Sequence, residues 1–133
     1  MDTRTVQSRE HSQLIDITGE VQSAVDASGV KSGVAWVYCP HTTAGITINE
    51  NADPDVVRDM LADLDRLVPW KQKYYRHGEG NSAGHVKASL IGFSQAVFVE
   101  DGRLVLGTWQ GIYFAEFDGP RTRRIMVKVL AAG

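Results

Sequence analysis

The sequence lacks the features that mark several specialised classes of protein. Its 133 residues include one cysteine, Cys39, so neither an internal disulfide nor a zinc site built from several cysteines can form. Lys and Arg number 14 against 16 Asp and Glu, and a formal charge of −2 argues against the basic field of a nucleic-acid-binding or membrane-surface protein. No run of 18 apolar residues occurs, and the N-terminal segment is not apolar. We therefore expect a cytoplasmic protein that acts on a small molecule, with no nucleic-acid or membrane partner.

The length and the hydrophobic patterns predict a single domain over residues 1–133, of α+β class with a mostly antiparallel sheet or sandwich. Helices are predicted from apolar residues at helical spacing and from their end signals, Gly29 after the first and Asp53-Pro54 before the second. The predicted helices are residues 19–28, 54–66 and 86–91. The predicted strands are residues 6–17, 34–39, 45–48, 95–100, 103–106, 112–117 and 124–130.

The densest group of chemically active side chains is the segment from His77 to His85, inside a long loop without periodicity. Its glycines let the backbone fold tightly enough to bring both imidazoles and the Glu79 carboxylate together. Imidazoles combined with a carboxylate suit zinc, manganese, nickel or iron. The alternative is a polar surface loop whose histidines are incidental.

His41 supplies a third imidazole from the first half of the chain. The hydroxyls of Thr42 and Thr43, with the N–H groups of such a turn, can hold a phosphate. Asn49 and Glu50 follow the next strand, and Glu50 is interpreted as a base or as a partner that orients His41. The alternatives are a plain strand connection with a capping histidine, and asparagines that only shape the turn into the next helix.

Two further groups have a functional and a plain interpretation. Cys39 lies two residues before His41, but a buried strand cysteine is favoured over a nucleophile, because adjacency in sequence does not put a thiol in contact with an imidazole. Arg121, Arg123 and Arg124 form a local basic cluster that either binds phosphate or is a solvated run of charge.

The block from His41 to Val56 is very similar to the signature block of the YjbQ-like family. Residues 74–77, 85–92, 107–113 and 123–125 agree with that family in order and spacing, and Gly107-Thr108-Trp109-Gln110 is the most specific of these marks. The resemblance covers nearly the whole chain. It departs from many relatives in one place, since the segment between His77 and His85 lacks their longer acidic insert.

The resemblance implies a compact sandwich-like domain that assembles as a homotrimer, with the histidine-rich site near subunit boundaries. It also implies a secondary thiamine-phosphate synthase activity, which joins hydroxymethylpyrimidine diphosphate to thiazole phosphate and releases pyrophosphate. The alternatives are a non-catalytic module that binds a phosphorylated or anionic metabolite, and a metal-dependent hydrolase. Trp109 and Tyr113 are expected to pack near the site or an interface, or else to be ordinary core aromatics.

The residue assignments that follow are hypotheses for the structure to locate. We expect His41, His77 and His85 to converge on one small volume, with Glu79 or Glu50 nearby, and to bind a divalent metal ion such as zinc, manganese or magnesium. The positive charge that stabilises the leaving pyrophosphate would come from the metal, Lys87 and Arg121. The assigned catalytic residues are His41, Asn49, Glu50, Glu79 and His85. The assigned phosphate-binding residues are Thr42, Thr43, Lys87 and Arg121.

Overall fold

The chain folds into two antiparallel sheets that pack face to face, with three helices around them in the part described. A computed structural model describes residues 1–132. The strands are β1 (Asp2–Gln7), β2 (Gln13–Asp16), β3 (Gly33–Tyr38), β4 (Ala44–Glu50), β5 (Ser94–Glu100), β6 (Arg103–Leu104), β7 (Gln110–Glu116) and β8 (Thr122–Ala131). The helices are α1 (Thr18–Ser28), α2 (Pro54–Leu67) and α3 (Ser82–Ile91). The predicted α+β class is confirmed.

The larger sheet has the strand order β1-β8-β3-β5-β6 and the smaller one the order β2-β7-β4. The main core lies between them, where Val37 and Ile125 of the larger sheet join Ile46 and Phe114 of the smaller sheet in one buried cluster. Each such side chain contributes about 1.5–3 kcal/mol when fully buried. Helix α1 adds Val21 to the same cluster. No helix within residues 1–132 has the length and apolar character needed to cross a membrane.

The smaller sheet is covered on both faces. Alternate side chains of β7 point to opposite sides, so Phe114 faces the larger sheet while Tyr113 and Ala115 join a second cluster with α2 and α3. Helix α2 contributes only partly buried side chains, such as Leu61, and has no fully buried residue. It therefore lies on the sheet as an outer layer.

The helix-end signals of the sequence are confirmed. The Asp53 carboxylate accepts a hydrogen bond from the Asp55 N–H at 2.9 Å, and α1 ends at Gly29 in the left-handed conformation. Asp101 and Gly102, both with positive φ, form the turn between β5 and β6. The third helix is longer than the predicted 86–91, because it begins at Ser82.

The prediction of one strand over residues 6–17 is wrong. The segment forms two strands in different sheets, since β1 pairs with β8 and β2 pairs with β7. Between them the chain is tied to the connection that follows β7: the Ser8 N–H donates to the Arg121 carbonyl, and the Gly119 N–H donates to the His11 carbonyl. These contacts hold the segment between β1 and β2 against the connection from β7 to β8.

Antiparallel pairing places three connections at one end of the molecule. Ala44 of β4 lies opposite Glu116 of β7, and Tyr38 of β3 lies opposite Met126 of β8. The connection from β3 to β4 and the one from β7 to β8 therefore leave the sheets at the same end. Helix α3 begins there too, because Gly84 packs closely on the Phe117 carbonyl.

Candidate functional site

A cavity of about 420 Å³, called here the histidine cavity, opens at that end of the sheets. All three histidines assigned from the sequence line it within a single chain, and the rings of His77 and His85 are nearly perpendicular with centroids 5.6 Å apart. Its lining is drawn from the three connections. The residues are Pro40, His41, Thr42, Thr43, His77, Glu79, Asn81, His85, Asp118, Arg121 and Arg123.

The hydrogen bond that His41 makes defines its chemical state. The backbone N–H of Arg124 donates to His41 Nε2 at 3.0 Å. A backbone N–H can only donate, so Nε2 carries no proton and the neutral imidazole keeps its proton on Nδ1. Burial lowers the pKa of His41, and the positive charge of Arg123 lowers it further. His41 is therefore a neutral imidazole whose remaining polar group is a donor.

A buried ion pair forms the floor of the histidine cavity. Arg123 donates from Nε to Glu116 Oε1 at 2.8 Å and also bonds Glu116 Oε2, while Glu116 is fully buried. Burial alone would raise the pKa of Glu116, but the hydrogen bonds from Arg123 and Ser8 outweigh it and lower the pKa below its usual value. Both groups are therefore charged, which is how buried ions are stabilised.

The same guanidinium orients Thr43, which is 5% exposed. Arg123 Nη2 donates to Thr43 Oγ1 at 2.8 Å. Because the hydroxyl accepts this bond, its own proton points elsewhere and is available to an acceptor. Thr43 lines the cavity, so this proton is a candidate donor to an anion bound there.

Asp118 anchors the opposite wall. Its Oδ2 accepts hydrogen bonds from Asn81 Nδ2 at 2.8 Å and from Arg121 Nη2 at 2.9 Å. The Arg121 side chain is half exposed and also donates from Nε to the Asp118 carbonyl. Asp118 thus holds one guanidinium and one amide in fixed orientations at the rim of the cavity.

The geometry does not assemble the expected three-histidine metal centre. Across residues 1–132, no three His, Cys, Asp or Glu side chains lie close enough together to hold one ion. His41 Nε2 is engaged by the Arg124 amide, and its Nδ1 carries the proton, so His41 offers a metal no free lone pair. The rings of His77 and His85 lie next to each other, and both residues line the same cavity as Glu79.

Two other assigned residues lie far from the histidine cavity. Asn49 and Glu50 end β4, at the opposite end from Ala44, and a strand rise of roughly 3.3 Å per residue separates the two ends by about 20 Å. Within one chain Glu50 cannot orient His41. The strand predicted over residues 45–48 already lies between them, and an extended strand carries Glu50 away from His41.

Lys87 also lies outside the cavity lining. It is 1% exposed, and its Nζ bonds Asp65 of α2 at 3.1 Å. Lys87 is two positions after His85 on α3, and two helical steps of roughly 100° turn it to the other side of the helix. In this arrangement Lys87 ties α3 to α2 and does not face a ligand in the cavity.

The remaining residues with a predicted role or environment are Cys39, Tyr113 and Trp109. Cys39 is buried as expected, and burial raises the pKa of its thiol to about 11, so it is not an activated nucleophile. Tyr113 is buried and donates to the Glu50 carbonyl. Trp109 is 62% exposed and lies at that same far end, where its carbonyl accepts from the Asn51 N–H.

Three residues of the cavity region, Asn81, Glu116 and Asp118, were not assigned from the sequence, and a fourth, Arg123, was named only as part of a basic cluster. For Arg123 and Glu116, the strand alternation in the sequence indicates that the side chain points inward. In β8, Arg123 falls on the inward phase of the alternation with Ile125, and in β7 Glu116 falls on that of Phe114. A positive and a negative charge on the inward phases of two sheets indicate a buried pair.

Comparison with known proteins agrees with the resemblance seen in the sequence. The profile of the family described as "UPF0047 protein YjbQ-like" matches residues 2–132. The chain belongs to this family. The UPF0047 protein YugU of Bacillus subtilis is 55% identical over 130 residues, which cover 98% of each chain. A UPF0047 protein of Methanocaldococcus jannaschii is 52% identical over 125 residues, covering 94% of this chain and 90% of the relative.

Solved structures of the family have the same fold. An uncharacterised YjbQ/UPF0047 protein of Clostridium acetobutylicum superposes with a TM-score of 0.95 at 57% identity, covering 98% of this chain and all of the other. A protein of unknown function from Sulfolobus solfataricus gives a TM-score of 0.93 at 32% identity, covering 98% of this chain and 96% of the other. The architecture that forms the histidine cavity is thus that of the UPF0047 family.

Proposed function

We propose that the histidine cavity binds the phosphate group of a small molecule and that the protein is an enzyme with secondary thiamine-phosphate synthase activity. The observation that carries this proposal is the convergence of hydrogen-bond donors on one cavity. They are the Thr43 hydroxyl, the Nδ1–H of His41, and the guanidinium groups of Arg121 and Arg123. Such donors suit the three oxygens of a phosphate, and each guanidinium keeps a further nitrogen, Nη1, beyond those bonded to Glu116 or Asp118.

The cavity also fits the charge change of the proposed reaction. A carbon–nitrogen bond forms between the pyrimidine methylene carbon and the thiazole nitrogen while the bond from that carbon to the diphosphate oxygen breaks, and the electron pair leaves with pyrophosphate. Negative charge grows on the leaving group. Donors fixed by Glu116 and Asp118 stabilise that charge without reorganising, and this is the main source of catalysis in such sites.

The direct test is an assay of the purified protein with both phosphorylated halves, followed by detection of thiamine phosphate. Replacing Thr43 by Val keeps the shape of the side chain and removes the donor, so the rate should fall by about 10²-fold or more. Thr3→Val is the matched control, because Thr3 is exposed on β1 away from the cavity. Complementation of a thiamine-requiring strain tests the same activity in cells.

The assay separates the proposed enzyme from its alternatives. Phosphate binding without thiamine phosphate formation would indicate a non-catalytic module for a phosphorylated or anionic metabolite. Release of phosphate from simple phosphate esters would indicate a hydrolase.

A metal-dependent hydrolase is the second candidate, and the adjacency of His77 and His85 favours it. We propose that a divalent ion at this site is held by the imidazoles of His77 and His85, and not by His41. Elemental analysis should then find the metal lost from His85→Ala and retained in His41→Ala. Equal loss from both variants would restore the three-histidine centre.

We further propose that the protein assembles as a homotrimer in the cytoplasm. The outer face of the larger sheet supports assembly, because Trp36, Tyr38, Phe98 and Leu130 are each 46% to 68% exposed there. The single cysteine supports the compartment, since Cys39 is a buried free thiol.

A further inference from the structure

One buried acceptor in the histidine cavity has no partner among residues 1–132. Asn81 directly precedes α3, lines the cavity and is only 6% exposed. Its Nδ2 donates to Asp118, whereas its Oδ1 is buried and accepts no hydrogen bond. A buried acceptor without a donor costs free energy, so native proteins rarely keep one without a use.

The orientation of the Asn81 amide is determined by its neighbour. The Asp118 oxygen that faces Asn81 also accepts the Arg121 guanidinium, so it is a charged carboxylate that can only accept. The amide must turn its NH₂ end to Asp118. Its carbonyl end is therefore fixed as a buried acceptor and cannot be exchanged for a donor by rotation of the amide.

We propose that Asn81 is a specificity-determining residue whose Oδ1 accepts a hydrogen bond from a hydroxyl or amino group of the ligand. The inference rests on the proposed phosphate site, where His41, Thr43 and the arginines provide donors to the anion. A fixed acceptor among these donors selects a phosphate ester that also carries a free donor group. The substrate class is a phosphorylated small molecule with a hydroxyl or amine close to the phosphate.

The expected change in ligand affinity depends on the shielding of Asn81 Oδ1 from water. Asn81 Oδ1 is buried, so a ligand group that reaches it exchanges a bond to water for a bond to protein, and an analogue without that group leaves the acceptor unpaired. Removing one such hydrogen bond changes the affinity by roughly tenfold.

Two probes that differ only in this group test the inference. Calorimetric titration of the full chain with 2-hydroxyethyl phosphate and with ethyl phosphate should show about tenfold tighter binding of the hydroxyl-bearing ester. In Asn81→Leu the two esters should bind equally, and inorganic phosphate should still bind. Asn51→Leu is the matched control, because Asn51 is exposed at the far end of the sheet, and it should keep the preference.

The outcomes separate this inference from the function on which it rests. Equal affinity of the unmodified protein for the two esters, with inorganic phosphate still bound, overturns the role of Asn81 and leaves the phosphate site standing. A preference that persists in Asn81→Leu also overturns that role. If neither ester nor inorganic phosphate binds, the phosphate site fails and the role of Asn81 fails with it.

Discussion

Glu116 and Arg123 are the two residues whose separate replacement should affect stability most. Glu116→Gln removes the carboxylate and leaves the buried guanidinium without a counter-charge, so we expect the free energy of unfolding to fall by about 3–5 kcal/mol. The double variant Glu116→Leu with Arg123→Met removes both charges and should cost less than the sum of the single changes. Urea unfolding of the unmodified protein, Glu116→Leu, Arg123→Met and the double variant measures this, and strictly additive costs would show that the pair is not coupled.

Acid should destabilise the protein in two steps, because the pKa shifts of His41 and Glu116 both make stability fall as the pH falls. The pKa of His41 is lowered from its usual 6.5, so as the pH falls below that value the unfolded chain takes up a proton first and stability is lost. The pKa of Glu116 is lowered from 4.5, so the stability that it contributes above that value is lost as the pH falls through its folded pKa.

Thermal melts from about pH 8 down to about pH 2 measure both steps. The midpoint should fall on acidification, and His41→Gln should flatten the upper part of the profile while leaving the acid part in place. A midpoint that rises between pH 7 and pH 5 would contradict the direction of the His41 shift.

The sequence indicated which types of residue line the histidine cavity, but it did not indicate the contacts that these residues make. Histidine, threonine and arginine beside small residues indicated a ligand site because such residues have no role in an apolar core. The sequence does not show that the Arg124 amide occupies His41 Nε2, because that bond depends on how β8 passes the connection after β3. Lys87 looked available for the same reason, since its burial depends on where α2 packs.

Helix α2 is held to α3 by one charged contact, between Asp65 and Lys87. Asp65→Asn leaves the buried ammonium without its carboxylate, which should cost about 1–3 kcal/mol and open α2 more often. Hydrogen exchange should therefore speed up in residues 54–67 and remain unchanged in α1. Asp63→Asn, an exposed change on the same helix, is the control and should alter neither.

Gly45 is required by the packing of β4 against the end of α3. A Cβ at this position would collide with the backbone carbonyl of Gly92, so Gly45→Ala should destabilise the protein by about 1–3 kcal/mol. Gly19→Ala is the matched change, because no atom lies within 4 Å of the added Cβ in α1. It should leave stability unchanged or raise it by about 0.5–1 kcal/mol, as measured by denaturant unfolding.

Elements with local signals were predicted from the sequence, and those set by distant contacts were not. Asp53, Gly29 and the Asp101-Gly102 turn act within a few residues of the helix or hairpin that they delimit. The break between β1 and β2 is different, because it depends on contacts with residues near the other end of the chain. The Ser8 N–H donates to the Arg121 carbonyl, and the two strands pair with β8 and β7. Residues 7–13 are all polar, so no pattern of apolar residues there shows that the flanking strands join different sheets.

For the whole molecule, the proposed trimer predicts that the outer face of the larger sheet lies at the subunit interface. Light scattering at micromolar concentration should give the mass of a trimer, and Phe98→Lys should give the mass of a monomer, because a lysine at an apolar interface leaves a charge unpaired. Leu67→Lys is the control, since Leu67 is 72% exposed on α2, away from that sheet. A monomeric unmodified protein would contradict the proposed assembly.

The histidine cavity takes its walls from three distant stretches of chain, residues 40–43, 77–85 and 118–123. The unfolded chain and any partly folded form that lacks β8 cannot present them together. A ligand of the cavity therefore binds only the native protein and shifts the unfolding equilibrium by mass action, by about 2.7 kcal/mol at a concentration one hundred times its dissociation constant. Melting temperature thus becomes a label-free measure of occupancy, and libraries of phosphorylated metabolites can be ranked by it before any reaction is known.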